Sequence, residues 1–321
     1  MQITAKQTIK KTAALLLAII TMLGMLPAMA FAEGTALLTL DELRAEKGAI
    51  TVEAYNIGRG FLIEPSLYDK TGKSTGDITV ELLGRKNLSY KGSTSYFEGF
   101  SFDDTVEAAY PSYLEPYRSD LSDTGDGDGY LSEFDYSSYA GWCYTINMWW
   151  SSWGAADCYP GQMITDYNTQ EEVALGDVIR WHFTAYGYGA DCGFPGNAMA
   201  ETFGGSLYTQ ADKSDLIFML AAINDYYGNL STDHVYETAL AVAADPLAAE
   251  SEVAAQETAL TNYINETFLK TEAPPRDAGR HLDPERHDGT ACVHRHGARF
   301  RHHRWRMDRA GSGPRRLLQQ R

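Results

Sequence analysis

Alternating apolar and polar positions predict β-strands in the first two-thirds of the chain. Residues 49–65 alternate on either side of Gly58, which predicts two strand segments joined at a bend or bulge. Residues 141–147 and 177–186 alternate in the same way and predict two further strands. Residues 74–86 fit a strand and a helix almost equally well.

The apolar positions change to a helical spacing over residues 209–270. Leu216, Leu220 and Ile223 recur at intervals of three and four residues, and two further helical stretches follow on either side of Pro246. The segment is rich in alanine and acidic on its polar positions, and it contains no pattern typical of a catalytic site. It predicts a three-helix unit.

The N-terminus has the order of an export signal. A basic start precedes an apolar stretch over residues 13–26, and the small residues Ala30 and Ala32 follow. We predict a signal peptide over residues 1–32 with cleavage near Ala32, and a mature chain that is extracellular or on the cell surface. A retained membrane anchor is the alternative, but a spanning helix needs about 20 apolar residues. No other segment is as apolar, so we expect no membrane span in the mature chain.

The charge is distributed unevenly along the chain. The whole chain has a formal charge of -16, and residues 33–270 contain 12 basic and 37 acidic residues. Such a body repels phosphate backbones, which excludes nucleic-acid binding as a first interpretation. Six Trp, 20 Tyr and 12 Phe supply enough aromatic surface for a packed core, which excludes a disordered acidic chain.

The composition changes again over residues 271–321. This tail has 12 Arg and no Lys, and it contains six of the eight histidines of the chain. It shows no period of 2 or 3.6, so we predict that it is unstructured or translated out of frame. A basic arm for an anionic polymer and a His-rich metal-binding tract are two other interpretations.

Aromatic residues are densest over residues 130–190, where 15 of 61 residues are Trp, Tyr or Phe. A small sheet cannot bury so many rings. Trp149, Trp150 and Trp153 lie in a predicted loop after a strand, so they are the rings that we expect to meet solvent or ligand. The alternative is that they pack over the domain's own core.

An acidic, glycine-rich turn at residues 124–135 approaches the pattern of a calcium loop. Asp126, Asp128 and Asp135 stand at positions 3, 5 and 12 of such a loop, and carboxylates are ligands that calcium prefers. Thr124 replaces the aspartate of position 1, and no clear helix precedes the turn. Calcium binding by the three aspartates and a plain acidic turn are therefore both open.

Export would place the cysteines in an oxidising compartment. There Cys143, Cys158 and Cys192 could supply one disulfide and one remaining thiol. Cys158 and Cys192 each lie beside an aspartate near a predicted strand end, so we predict that these two pair. Three ordinary buried thiols are the alternative.

No nucleophile, base and orienting group can be assembled from the residue spacing. The sequence has no H-E-x-x-H and no C-x-x-C. His182 alternates with Trp181 and Phe183, so it is expected to be a solvent-facing or hydrogen-bonded histidine rather than a general base. We therefore predict a protein that is not an enzyme.

Four segments together carry a family resemblance. They read LSEFDY at 131–136, GWCYTIN at 141–147, LGDVIRWHFT at 175–184 and YGYGAD at 186–191. In this order they resemble the transcobalamin-like C-terminal domain of exported bacterial surface proteins, formerly a domain of unknown function. The resemblance extends over residues 49–193.

The resemblance implies an α+β fold, in which small antiparallel sheets and one helix form a β-grasp-like domain, followed here by the three-helix unit. The helix would be residues 76–86. The namesake domain of animal transport proteins covers one face of cobalamin, and a separate helical domain covers the other. That partner domain is not recognisable here, so cobalamin binding does not transfer directly. Residues 209–270 are similar to three-helix spacers of bacterial surface proteins.

These observations predict an exported, non-enzymatic ligand-binding or adhesion module at the bacterial cell surface. Exposed aromatic rings stack on flat or cyclic ligands such as a corrinoid, a glycan or a peptide. The predicted ligand-binding residues are Trp149, Trp150, Trp153, Tyr186 and Tyr188. Cell-wall material and other surface proteins are the expected larger partners. The alternative is a structural spacer segment of a larger cell-wall-attached protein.

Overall fold

The computed structural model describes residues 37–228 and 233–270. The predicted signal peptide and the predicted tail lie outside the described residues. Within the described part, no helix has both the length and the apolar character needed to cross a membrane.

Ten strands are present in the described residues, and they form one five-stranded sheet and two smaller sheets. The strands are β1 (Lys47–Glu53), β2 (Phe61–Asp69), β3 (Tyr90–Gly92), β4 (Phe97–Phe100), β5 (Leu131–Ser132), β6 (Gly141–Ile146), β7 (Trp149–Trp150), β8 (Met163–Thr165), β9 (Glu172–Ala174) and β10 (Val178–Thr184). The strands predicted at 141–147 and 177–186 are confirmed as β6 and β10.

The five-stranded sheet has the order β2-β1-β10-β6-β7. Its two central strands, β1 and β10, run parallel, with Ile50 opposite Ile179, and the other pairs are antiparallel. Every residue of β10 is buried, because helices or loops pack on both faces of the sheet. The family resemblance implied small antiparallel sheets, so the parallel pairing of β1 with β10 is a correction to that part of the prediction.

A short helical turn joins β1 to β2 and produces the predicted bend. Tyr55–Ile57 form this turn, and Gly58 ends it with a φ of 75°. A left-handed residue at this position favours glycine, which has no Cβ to clash with the preceding carbonyl. The alternating pattern on either side of Gly58 therefore predicted the two strands correctly.

Five α-helices lie in the described residues. They are α1 (Leu40–Glu46), α2 (Thr75–Arg85), α3 (Ser214–Ala222), α4 (His234–Ala244) and α5 (Glu250–Thr267). The side chain of Ser74 caps α2 by accepting a hydrogen bond from the backbone N–H of Asp77 at 3.1 Å. This cap resolves the ambiguity of residues 74–86 in favour of a helix. Helices together with largely antiparallel strands give the α+β class that the sequence predicted.

The first face of the main sheet packs against α2 and the small β3-β4-β5 sheet. Ile50 and Trp181 of the main sheet share this core with Leu82 of α2 and with Phe97 and Phe100 of β4. The Trp181 indole N–H donates a hydrogen bond to the Thr79 hydroxyl of α2 at 2.8 Å.

The second face packs at one end against α3. Ala49 and Val178 of the central strands share a core with Leu216, Ile217 and Leu220 of that helix. The sequence predicted separate modules at 49–193 and 209–270, whereas the described residues belong to one compact unit. The physical reason is that α3 is apolar on nearly all sides, so it must be buried on more than one face.

Candidate functional site

The two tryptophans of β7 point to opposite faces of the main sheet, as neighbouring residues of a strand do. Trp149 packs against the first core, and its indole N–H donates to Asp166 Oδ2 at 2.7 Å. Trp150 lies on the second face against Cys192 and Phe194, with 7% of its surface exposed. The prediction that both residues lie in a loop is therefore wrong. Trp150 is enclosed and does not offer a ring face to a surface ligand.

Trp153 is the exposed tryptophan of this region. Its indole N–H donates to the carbonyl of Thr165 at 3.1 Å, which attaches it to the β8-β9 hairpin. Its ring stands edge-to-face with Tyr167, with centroids 5.8 Å apart. Trp153 is 37% exposed and Tyr167 is 61% exposed. We call Trp149, Trp153 and Tyr167 the tryptophan patch.

Asp166 organises the hairpin loop next to the tryptophan patch. Its Oδ1 accepts hydrogen bonds from the backbone N–H groups of Asn168 at 2.9 Å and Thr169 at 2.8 Å, while its Oδ2 holds Trp149. Burial alone would raise the pKa of Asp166, but the hydrogen bonds from Thr169, Trp149 and Asn168 outweigh it and lower that pKa. The carboxylate is therefore ionised at neutral pH and fixes both the loop and the indole.

Tyr186 and Tyr188 belong to a second aromatic cluster that follows the end of β10. Tyr186 is largely buried and stacks on Tyr117, with ring centroids 4.0 Å apart. Tyr188 is exposed and meets Tyr139 edge-to-face at 5.6 Å. We call the following residues the tyrosine patch: Tyr117, Tyr139, Tyr186, Tyr188 and Phe203.

The structure thus divides the five predicted ligand-binding residues among three environments. Two lie in the tryptophan patch, two lie in the tyrosine patch, and Trp150 is buried. Sequence reasoning missed Tyr167, because nothing in its local pattern indicates that the hairpin loop folds back onto Trp153. It missed Tyr117 and Tyr139 for the same reason, since both reach Tyr186 only through the tertiary fold.

The acidic turn does bring carboxylates together, but in a different set from the predicted one. Asp104, Asp126 and Asp135 can each offer one oxygen, and these three oxygens lie within 4.8 Å of one another. Carboxylate oxygens suit calcium, which takes six to eight oxygen ligands, so water or backbone oxygens would have to supply the rest. The calcium-loop pattern did not indicate Asp104, because this residue precedes the loop. Its carboxylate accepts hydrogen bonds from the backbone N–H groups of Gly127 and Gly129 in the loop.

Asp128, the third predicted calcium ligand, points elsewhere. It forms an ion pair with Lys91 and is not part of the carboxylate group. Asp104 takes its place beside Asp126 and Asp135. Burial and the like charges of Asp126 and Asp104 raise the pKa of Asp135, despite the hydrogen bonds that it accepts from the backbone of Ser132 and Asp126. The turn therefore concentrates negative charge at a partly buried point.

The cysteines are placed differently from the predicted pairing. Cys158 lies in the first core, while Cys192 lies on the opposite face of the sheet with Trp150 and Phe194. Both are free thiols, so the structure does not bring the predicted pair together. The neighbour of Cys192 is Cys143, whose sulfur lies 3.9 Å from the Cys192 sulfur.

The middle of the second face carries a buried ion cluster, formed by Glu53, Arg180 and His182. Arg180 donates to Glu53 through Nε at 2.9 Å and through Nη2 at 2.8 Å, a two-point ion pair. Each of the three side chains is less than 5% exposed. The guanidinium group also lies over the Phe194 ring, 5.2 Å from its centroid. A strand pattern alone does not predict such a pair, because β1 and β10 lie more than 120 residues apart in the chain.

Burial and the neighbouring charges set the protonation states in the buried ion cluster. Burial alone would raise the pKa of Glu53, but Arg180 and His182 outweigh it and lower that pKa, so the carboxylate is ionised. Burial lowers the pKa of His182 in spite of Glu53, so the ring is neutral at pH 7. Its Nδ1 lies 3.3 Å from Glu53 and its Nε2 lies 3.2 Å from the Thr145 hydroxyl. A carboxylate can only accept, so the neutral ring carries its proton on Nδ1, and Nε2 accepts from the Thr145 hydroxyl. His182 is therefore a hydrogen-bonded histidine, as expected from the sequence.

Lys213 is a second buried cation next to this cluster. Its amino group donates to the carbonyls of Ala243, at 3.2 Å, and of Asp245, at the end of α4. Burial and the charge of Arg180 lower the pKa of Lys213 to about 7, although Glu53 and Asp245 act in the opposite direction. A neutral amine still donates to two carbonyls, so the contact survives loss of the proton.

The stability of the protein is expected to rise with pH because of Lys213. The unfolded lysine has a pKa near 10.4, so between pH 7 and that value the unfolded state binds a proton that the folded state lacks. Through this group, the free energy of unfolding is therefore expected to rise by about 2 kcal/mol from pH 7 to pH 9. Urea unfolding of wild type and Lys213→Met at pH 6, 7, 8 and 9 measures it, since the variant should lack this rise. Parallel profiles of the two proteins would contradict the assignment.

Comparison with protein-family models, with curated proteins and with solved structures found no match to this chain. The geometry described above gives these candidate sites: the two aromatic patches on the surface, the aspartate group of the acidic turn and the buried ion cluster.

Proposed function

We propose that this chain is an exported, non-enzymatic ligand-binding or adhesion module of the bacterial cell surface, and that its ligand contacts the tryptophan patch. One observation carries the proposal. Trp153 and Tyr167 expose their rings at right angles to each other while the Trp153 indole N–H is held by the carbonyl of Thr165. An exposed ring that is already fixed loses little conformational entropy when a ligand binds.

The chemistry of the patch favours a flat or cyclic ligand. Two perpendicular rings offer one face for stacking and one edge for lateral contact, and the carboxylate of Asp166 lies beside them. Corrinoids, sugar rings and peptide side chains all present apolar faces of this kind. Among them we propose a corrinoid as the first ligand to test, because of the family resemblance over residues 49–193.

The topology supports that resemblance. Three features support a β-grasp arrangement: the strand order β2-β1-β10-β6-β7, the parallel central pair, and the position of α2 directly after the β1-β2 hairpin. We propose this arrangement for the sheet and α2, with α3, α4 and α5 as the three-helix unit that follows. The proposal of export rests on the signal sequence over residues 1–32.

The buried ion cluster supports a non-enzymatic function. Glu53, Arg180 and His182 are the acid, the cation and the imidazole that a catalytic site would need, but all three are enclosed by the sheet and the segments packed on it. A substrate cannot reach them without unfolding that face. We therefore propose that these residues stabilise the fold.

Titration calorimetry on the full chain tests the proposal. Cobalamin, a soluble cell-wall glycan fragment and a peptide mixture serve as three separate ligands. We expect one class to bind, and we expect Trp153→Ala and Tyr167→Ala each to weaken that binding at least tenfold, as for a central aromatic contact. Phe134→Ala is the matched control, because Phe134 is as exposed as Tyr167 but lies in neither patch.

The possible outcomes separate the alternatives. A tenfold loss in Tyr188→Ala with no change in Trp153→Ala would move the site to the tyrosine patch and contradict the assignment. No heat with any of the three ligand classes would contradict the binding function and favour the structural spacer.

A further inference from the structure

Cys143 and Cys192 lie close enough to react with each other. Their sulfur atoms are 3.9 Å apart, across the second face of the main sheet. Cys143 belongs to β6 and lies opposite His182 of β10, while Cys192 ends the helical segment Gly187–Cys192 that follows β10. A disulfide bond needs about 2.05 Å between the sulfurs, so closing the gap requires a shift of about 2 Å, which two side-chain rotations can share.

The two thiols differ in their access to solvent. Cys143 is partly exposed, whereas Cys192 is 2% exposed and contacts Asn56 and Asp191. Burial and the neighbouring Cys143 raise the pKa of Cys192 well above its ordinary value. An external oxidant therefore meets Cys143 first, and Cys192 is the thiol that completes the reaction.

The third cysteine of the folded part is not a competitor. Cys158 lies in the core on the other face of the sheet, where its sulfur lies 3.6 Å from the Ser151 hydroxyl. The strands of the main sheet separate it from both other thiols. Geometry therefore selects one pair among the three cysteines at positions 143, 158 and 192.

We propose that Cys143 and Cys192 form a disulfide bond when the protein meets a disulfide oxidant, such as the oxidised dithiol of a protein oxidase or oxidised glutathione. The thiolate of Cys143 attacks one sulfur of that disulfide and releases one thiolate. The Cys192 thiol then loses its proton and attacks the Cys143 sulfur, which releases the second thiolate. The two cysteines lose two electrons and two protons, and the oxidant is reduced to two thiols.

The bond would fix the segment that encloses the buried ion cluster. Gln210 donates to the carbonyl of Cys192 at 2.9 Å, and its side-chain oxygen accepts from Arg180 at 3.2 Å. A link from Cys192 to β6 therefore holds this segment against the sheet at the position of the cluster. The loop that it closes contains about 50 residues, long enough for a clear loss of entropy in the unfolded chain.

Peptide mapping of the full chain tests the pairing. Cleavage before aspartate places the three cysteines in separate peptides, 135–156, 157–165 and 191–211. After oxidation with oxidised glutathione and blocking of free thiols, we expect the first and third peptides to be linked and the second to be alkylated. Linkage of peptide 191–211 to 157–165 or to a peptide containing Cys292, or alkylation of all three peptides, would overturn the proposal.

Thermal unfolding gives a second measurement with matched controls. Oxidation is expected to raise the unfolding midpoint of wild type and of Cys158→Ser by about 5 to 15 °C. Cys143→Ser and Cys192→Ser should show no such rise, and Cys143→Ser should match wild type under reducing conditions, which shows that it folds. A rise that persists in Cys143→Ser, or that is absent from Cys158→Ser, would contradict the assigned pair.

Discussion

Replacing Arg180 with methionine is expected to lower the free energy of unfolding by about 3 to 5 kcal/mol, because the variant leaves Glu53 as a buried charge without its cation. In the native protein the guanidinium group makes two hydrogen bonds to that carboxylate, and a third to Gln210. Methionine fills a similar volume but donates none of them. Urea unfolding at pH 7 measures the loss as a lower midpoint at an unchanged slope.

A double variant separates the ion pair from simple packing. Glu53→Gln combined with Arg180→Met removes both charges, keeps an amide oxygen for the Thr51 hydroxyl, and should recover at least half of the lost stability. If Arg180→Met were destabilised by less than about 1 kcal/mol, or if the double variant were worse than the single one, the pair would not be the source of the effect.

Trp150→Ala is the second substitution with a large expected effect, a loss of about 3 to 5 kcal/mol from the cavity that the ring would leave. The indole packs against Phe194 and Cys192 and lies so close to Gly189 that any side chain at that glycine would overlap it. Gly189 also has a φ of 94°, which suits glycine alone. The ring and the glycine therefore depend on each other.

Trp153→Ala is the control, because it replaces the same residue type three positions further along the chain, where the side chain is exposed. It should cost no more than about 1 kcal/mol, mainly from the lost hydrogen bond to Thr165. Urea unfolding of both variants at the same pH gives the comparison. Equal losses of unfolding free energy in the two variants would contradict the difference in burial between Trp150 and Trp153. They would also contradict the assignment of ligand binding to the tryptophan patch, which needs an exposed Trp153.

The pattern of local positions was enough to predict several elements. The strand pairs around Gly58, the strands β6 and β10, and the helical character of 209–270 all follow from alternation or helical spacing, which depend only on near neighbours. The pattern did not predict the strand formed by Trp149 and Trp150, because the glycine, serine and asparagine residues around them suggested a loop. A two-residue strand is too short to show a period.

The candidate sites depended on contacts that no local pattern contains. Tyr167 reaches Trp153 through the β8-β9 hairpin, Asp104 reaches the acidic turn from an earlier segment, and Cys143 reaches Cys192 across the sheet. In each case one partner was already a candidate in the sequence and the other was not recognised as its neighbour. Proximity of residues distant in the chain is a property of the fold.

The amino-acid sequence alone provided the export signal as a hypothesis, the presence of both strands and helices, and the strongly acidic character of residues 33–270, because these depend on composition and on short-range periodicity. The tertiary structure alone decided which aromatic rings face solvent, which carboxylates meet and which thiols touch. Side-chain direction on a strand reverses at every residue, and strand pairing joins distant segments, so exposure and proximity are determined only when the chain is folded.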